Sequence, residues 1–244
     1  MPKTLVGRRD ATTHLGVSLN TDAKSLNNSA KLLTLLRPGH DSASTRTAII
    51  ALERFFSERL CRGDLRGGSG DAAAATDAAA IKYQEWFQKH YKLFTKRLTA
   101  LLSGVGFEAR KAGVDAQGEE AAAAGGGDGG GRVAVEPKTQ VLALAAVMEC
   151  ARSEHPGRFN NELYAAALTA ALRGTGFTPE LLGALASRYL TMMDVRYHTY
   201  ATIAKIANEV RRSGGGGGGA GTESSAHEGG GGMDGGGEGG VIAR

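Results

Sequence analysis

Apolar residues recur along most of this chain at the three- and four-residue spacing of a helix, and no stretch alternates at the two-residue spacing of a strand. The clearest run is residues 81–102, IKYQEWFQKHYKLFTKRLTALL. At 100° per residue, Tyr83, Phe87, Tyr91, Phe94, Leu98 and Leu101 fall on one face. Lys82, Lys89, Lys92 and Lys96 fall on a narrow stripe on the other side, with Trp86 and Leu93 between the two. The pattern predicts a helix over about 77–102 with a core side, a basic side and an apolar shoulder.

The flanking segments read in the same way. Residues 25–36 predict a short helix ended by Arg37-Pro38-Gly39, because Pro38 disfavours helix at the residue before it. Asp41, Ser42 and Ser44 offer caps for a second helix to about Leu60, with Ile49, Leu52, Phe56 and Leu60 as its stripe. Pro137 suits a first helical turn, where its missing N–H costs nothing, and a helix apolar nearly all round follows to about Glu154. Asn160 or Asn161 caps the next, through Leu172. Pro179 starts another to about Tyr189, and a last helix runs from about Asp194 to Arg212. On that last helix Asp194 is the expected N-cap. Tyr197 and Tyr200 are expected to join Ala204 and Ala207 on the packing face, leaving His198, Lys205 and Glu209 in water.

Four stretches break the pattern, the shortest being the Gly/Ser/Ala-rich residues 62–76. Residues 1–24 show no convincing period and are expected to form a mobile N-terminus. Residues 113–131 are Ala, Gly and acidic, and cannot bury enough apolar surface to offset their ordering entropy; a disordered insert is expected there. Residues 213–244 are expected to be a disordered Gly-rich tail. The fold class is therefore all-α. The architecture that fits residues 25–212 is a HEAT-like stack of antiparallel helix pairs, interrupted by disordered Gly/Ala-rich inserts.

Composition adds little. The 244 residues include 37 glycines, most of them in the low-complexity tracts, and carry a formal net charge of +4. Residues 77–111 hold seven Lys/Arg against three Asp/Glu, so their local excess equals that of the whole chain. Phosphate contact through the lysine stripe is one reading, and a merely solvated face is the other. Cys61 and Cys150 stand far apart, outside any CxxC pair, and are expected to be buried thiols in a reducing compartment. No run approaches the roughly 18 apolar residues of a membrane span, so no membrane partner is expected.

Candidate chemistry is sparse. Gly125-x-Gly127-x-x-Gly130 matches a dinucleotide fingerprint in form, but it sits inside a glycine tract instead of between a strand and a helix. The six histidines form no close ligand pair. His198 has Asp194 one turn away but no nucleophile beside it. No catalytic residue, metal site or cofactor is expected, and the chain is read as not an enzyme. Trp86 is either covered by a neighbouring helix or an interface anchor, and cover inside the stack is the expectation.

Two segments resemble a known family. Lys82-Tyr83-x-x-Trp86, with Tyr91, Arg97 and Leu98 after it, looks like a segment near the N-terminal end of the nucleolar complex protein 4 family. Asp194-Val195-Arg196-Tyr197-His198-Thr199 resembles that family's D-x-R-Y-H-T stretch. The similarity covers roughly residues 25–210, the family's N-terminal half; its second helical half, associated with partner binding, is not matched. The resemblance implies a non-enzymatic helical-repeat protein of the nucleus and nucleolus. It implies a role in small-subunit (18S) rRNA processing and 40S biogenesis within the small-subunit processome. The implied partners are nucleolar protein 14, other processome proteins and pre-ribosomal RNA. Lys82, Lys89, Lys92, Lys96 and Trp86 are the candidate contacts. Tyr83, Phe87, Tyr91, Asp194, Arg196, Tyr197 and His198 are the structural motif residues.

Overall fold

The computed structural model describes residues 5–37, 39–65, 78–104, 135–155, 157–174 and 177–214. The insert expected at 113–131 and all of the tail beyond residue 214 lie outside them. The described chain is mostly helical, with eight helices and no strand. These are α1 Leu5–Thr21, α2 Asn28–Leu35, α3 Ser42–Arg62, α4 Ala78–Ser103, α5 Pro137–Ser153, α6 Asn161–Arg173, α7 Pro179–Ala184 and α8 Met193–Gly214. The chain divides into two units, residues 1–207 and 208–244.

Local chemistry sets the boundaries. The Asp41 carboxylate accepts the Ser44 backbone N–H at 2.8 Å and so caps α3. Gly63, at φ 88°, ends α3 in the left-handed conformation that a side chain would disfavour. Asn160 accepts the Leu163 N–H at 3.0 Å to open α6, and Thr178 accepts the Leu181 N–H at 3.2 Å to open α7. α7 then widens into a π-helical turn over Leu185–Tyr189, closed by the Leu190 N–H to the Leu185 carbonyl at 3.0 Å.

In the first unit alternate helices pack on one another. α1, α3, α5 and α7 touch in that order, and so do α2, α4 and α6. The core lies between these two series, centred on Phe56 of α3. Its ring stacks on Phe94 at 5.0 Å and meets Phe87 and Tyr91 of α4 at 5.6 Å each. All four rings are buried.

α1 occupies a segment where the sequence predicts no element. Its core face is thin, with buried Thr12 and Leu19 and half-buried Leu15, so periodicity carries little signal. What seats it is Gly16. A Cβ there would come within 2.7 Å of the Ala51 Cβ on α3, so two small residues let the helices cross closely. Asn20 reinforces the crossing by donating to the Ala51 carbonyl at 3.2 Å.

The second unit is described only over Asn208–Gly214. These residues are helical; Arg211 donates to Asn208 Oδ1 at 2.6 Å, and Ser213 to the Glu209 carbonyl at 3.0 Å.

Candidate interaction surface

α4 separates two chemistries along one rod. Phe87, Tyr91, Phe94, Leu98, Leu101 and Leu102 are buried, while Lys82, Lys89, Lys92 and Lys96 are exposed. The division follows from sequence spacing. Apolar rings recur every three or four residues and turn inward, and the lysines between them project into water.

The rest of α4 is held by polar ties. Tyr83 donates to Asp64 at 2.7 Å, and Arg59 donates to the Tyr83 hydroxyl while its guanidinium lies 4.6 Å from the centre of the Phe55 ring. Burial, aided by the Asp64 carboxylate, pushes the Tyr83 pKa up to about 12. At the other end Arg97 donates to the Leu33 carbonyl near the end of α2, which also accepts the Leu36 backbone N–H at 3.1 Å. Burial, with Arg37 nearby, lowers the Arg97 pKa.

Trp86 is half-buried. Its ring lies 5.9 Å from Tyr83 and 4.4 Å from His90, and its carbonyl bonds His90 Nδ1 at 2.8 Å. Its cover therefore comes partly from rings of its own helix, with one edge on the core cluster. Leu93 is exposed on the same shoulder.

A cleft of about 410 Å³ opens beside α4, lined among others by Gln88, Tyr91, Lys92, Thr95, Glu154 and Asn160. Glu154 is engaged within it, accepting from the Tyr91 hydroxyl at 3.2 Å and from the Asn160 amide. Burial pushes the Tyr91 hydroxyl and the Cys150 thiol well above their ordinary ranges, so both stay protonated and neither is an activated nucleophile. Cys61, expected to be buried, is exposed, because it lies on the side of α3 away from Phe56 and Leu60. Among the described residues no group of three or more His, Cys, Asp or Glu could hold a metal ion, and no helix is long and apolar enough to cross a membrane.

The second motif sits on α8, and here the structure overturns the expected orientation. Val195, Thr199 and Thr202 are the buried residues. Tyr197 and Tyr200 are 67% and 61% exposed, and Ala204 and Ala207 are exposed with them. His198, expected in water, is half-buried, with its ring edge-on to Tyr197 at 5.1 Å. The cause is a buried hydrogen-bond chain. The Tyr164 hydroxyl on α6 donates to Thr199 Oγ1 at 2.6 Å, whose own hydrogen goes to the Val195 carbonyl at 2.7 Å. Asp194 is exposed in the first turn instead of capping it, since the helix opens with the Arg196 N–H bonding the Met192 carbonyl at 3.0 Å. Arg196 is also exposed. The two motifs are thus separate surfaces, a basic one on α4 and an apolar one on α8.

The sequence reading missed this outward stripe and the Glu154 cleft. The alternation of Val195, Thr199, Thr202 and Ile206 was the available signal for the first. Glu154 and Asn160 meet across a tight turn in which Gly157 takes φ 71°, which no periodicity reports. Compared with family models, curated proteins and solved structures, the chain matches none.

Proposed function

We propose that this chain is a non-enzymatic helical scaffold of small-subunit ribosome assembly, with the exposed lysines of α4 as its contact to precursor rRNA. The observation that carries this reading is the partition of α4, which buries its rings and presents Lys82, Lys89, Lys92 and Lys96 outward. Lysines spaced one and two turns apart match the point-charge contacts that neutralise backbone phosphates. The packing of alternate helices in two series supports a HEAT-like repeat architecture. The resemblance of the two motifs to the nucleolar complex protein 4 family supports the nucleolus as the site of action. It also supports nucleolar protein 14 and other processome proteins as partners.

Reversal of Lys89, Lys92 and Lys96 to Glu tests the assignment. Recovery of 18S precursor RNA with the variant should fall, and the fall should be larger at low salt, where exposed charges are less screened. Undiminished recovery, with the variant folded, would overturn the basic stripe as the RNA contact. A second reading, a helical protein-interaction module unrelated to ribosomes, is favoured by the exposed apolar stripe of α8. Co-purification separates the two, because processome proteins and precursor RNA accompany only the first.

A further inference from the structure

The outward face of α8 is apolar from Met193 to Ala207, before Arg211 and Arg212 of its last turn. Met193, Tyr197, Tyr200, Ala204 and Ala207 recur every three or four residues on the side opposite Val195, Thr199 and Thr202. Met193 is 73% exposed. A helix apolar on both sides is one that expects a layer on each, and among the described residues only one side is covered.

We propose that a second copy of this chain covers it, with the two α8 helices antiparallel about a two-fold axis near Tyr200. The order of side chains along the stripe points to that occupant. Large residues stand in the N-terminal half, Met193 and Tyr197, and small ones in the C-terminal half, Ala204 and Ala207. An antiparallel pair sets Met193 over the partner's Ala207 and Tyr197 over the partner's Ala204, large against small, twice over. Tyr200 meets its own copy at the axis, where offset aromatic stacking is favourable.

The flanking charges obey the same register. Asp194 and Lys205 lie on one flank of the stripe, at opposite ends. Under the two-fold axis Asp194 faces the partner's Lys205, and the symmetry repeats the pair. Among the described residues neither takes part in an ion pair within the chain. Arg196, on the other flank, faces the partner's Ile203, over which its aliphatic stem can lie. A parallel pair would instead set large residues over large, and its symmetry would bring the flank of Lys205 against the partner's Ile203, with no acid opposite.

One helix pair buries less than the roughly 800 Å² per partner of a standard interface, so a dissociation constant on the order of 1–100 μM is expected. Sedimentation equilibrium of the full chain over that range should show a monomer–dimer equilibrium. Tyr200→Glu, at an exposed position, should keep the helical circular dichroism and weaken the dimer by roughly 30-fold or more. Asp194→Lys and Lys205→Asp should each weaken it, by roughly threefold to tenfold, and the two together should restore it. A chain that stays monomeric throughout overturns the proposal, whether or not another protein then binds this face. So does a dimer indifferent to Tyr200→Glu, and so does a double charge swap that fails to recover what each single swap loses.

Discussion

α4 and α8 are the two longest helices of the described chain, and both carry aromatic rings at helical spacing, yet only α4 hides them. The difference lies in the opposite face. Behind the rings of α4 stand lysines, which leave one way for the helix to turn. Behind those of α8 stand Val195, Thr199, Thr202 and Ile206, which can also be buried. Thr199 goes inside because its hydroxyl is satisfied twice, by Tyr164 and by the Val195 carbonyl. A polar residue with its hydrogen bonds met outbids a tyrosine whose hydroxyl would need a partner of its own. Amphipathic spacing therefore identifies the inner face only when the outer face is unfit for burial.

The sharpest way to break this comparison is to truncate a ring on each helix. Phe94→Ala should cost about 3–5 kcal/mol in a denaturant titration, from lost burial plus the cavity beside Phe56. Tyr200→Ala, at protein concentrations well below dimerisation, should cost less than about 0.5 kcal/mol. Equal losses would mean that the two stripes are equally covered.

Next in size is a test of how tightly the helix ends meet. A Cβ on Gly174, at the end of α6, would lie 2.0 Å from the Ser103 carbonyl oxygen at the end of α4. Gly174→Ala should cost about 1–3 kcal/mol, because backbone cannot step aside as a side-chain tip can. Gly183 on α7 has nothing within 4 Å of such a Cβ, so Gly183→Ala should be neutral or stabilise by up to about 1 kcal/mol. Thermal melts of the pair will separate crowding from helix propensity.

Trp86→Ala should fall between the two ring classes, at about 1–2 kcal/mol, in keeping with half-burial on the shoulder of α4. A loss as large as that of Phe94→Ala would place Trp86 in the core.

Smaller still is the effect of Glu53 on α3, a half-buried carboxyl whose pKa is raised by burial and by the nearby Glu149. A carboxyl that holds its proton more tightly when folded loses stability as pH rises from its unfolded pKa through its folded one, and the loss is complete above both. Glu53→Gln should therefore raise the melting temperature at pH 7 and lose that advantage near pH 4. Water contact holds the gain below about 1 kcal/mol. Smallest of all, Lys89→Glu, Lys92→Glu and Lys96→Glu should each shift stability by no more than about 0.5 kcal/mol, since these side chains project into water.

What the sequence shows most clearly is what one short segment decides alone. Pro137, Asn160 and Pro179 mark helix starts through their own backbone chemistry, and the structure opens helices within a residue of each. The buried face of α4 is legible for the same reason. α1 is not, because it is seated by Gly16 against Ala51, a contact between helices that no local window contains. The π-helical turn after α7 and the exposure of Cys61 depend likewise on neighbours. The candidate surface divides in the same way, with the lysine stripe of α4 readable at once and the outward stripe of α8 visible only when Tyr164 shows which side of that helix is occupied.

The knot of Asp64, Tyr83 and Arg59 has a consequence for how this chain can change over time and in the laboratory. It fastens the start of α4 to the turn that ends α3 through side chains that bond one another. A substitution at any one of the three strands the polar groups of the other two, so these positions can be exchanged as a set more readily than singly. A library randomised at all three together would recover them as a coupled group.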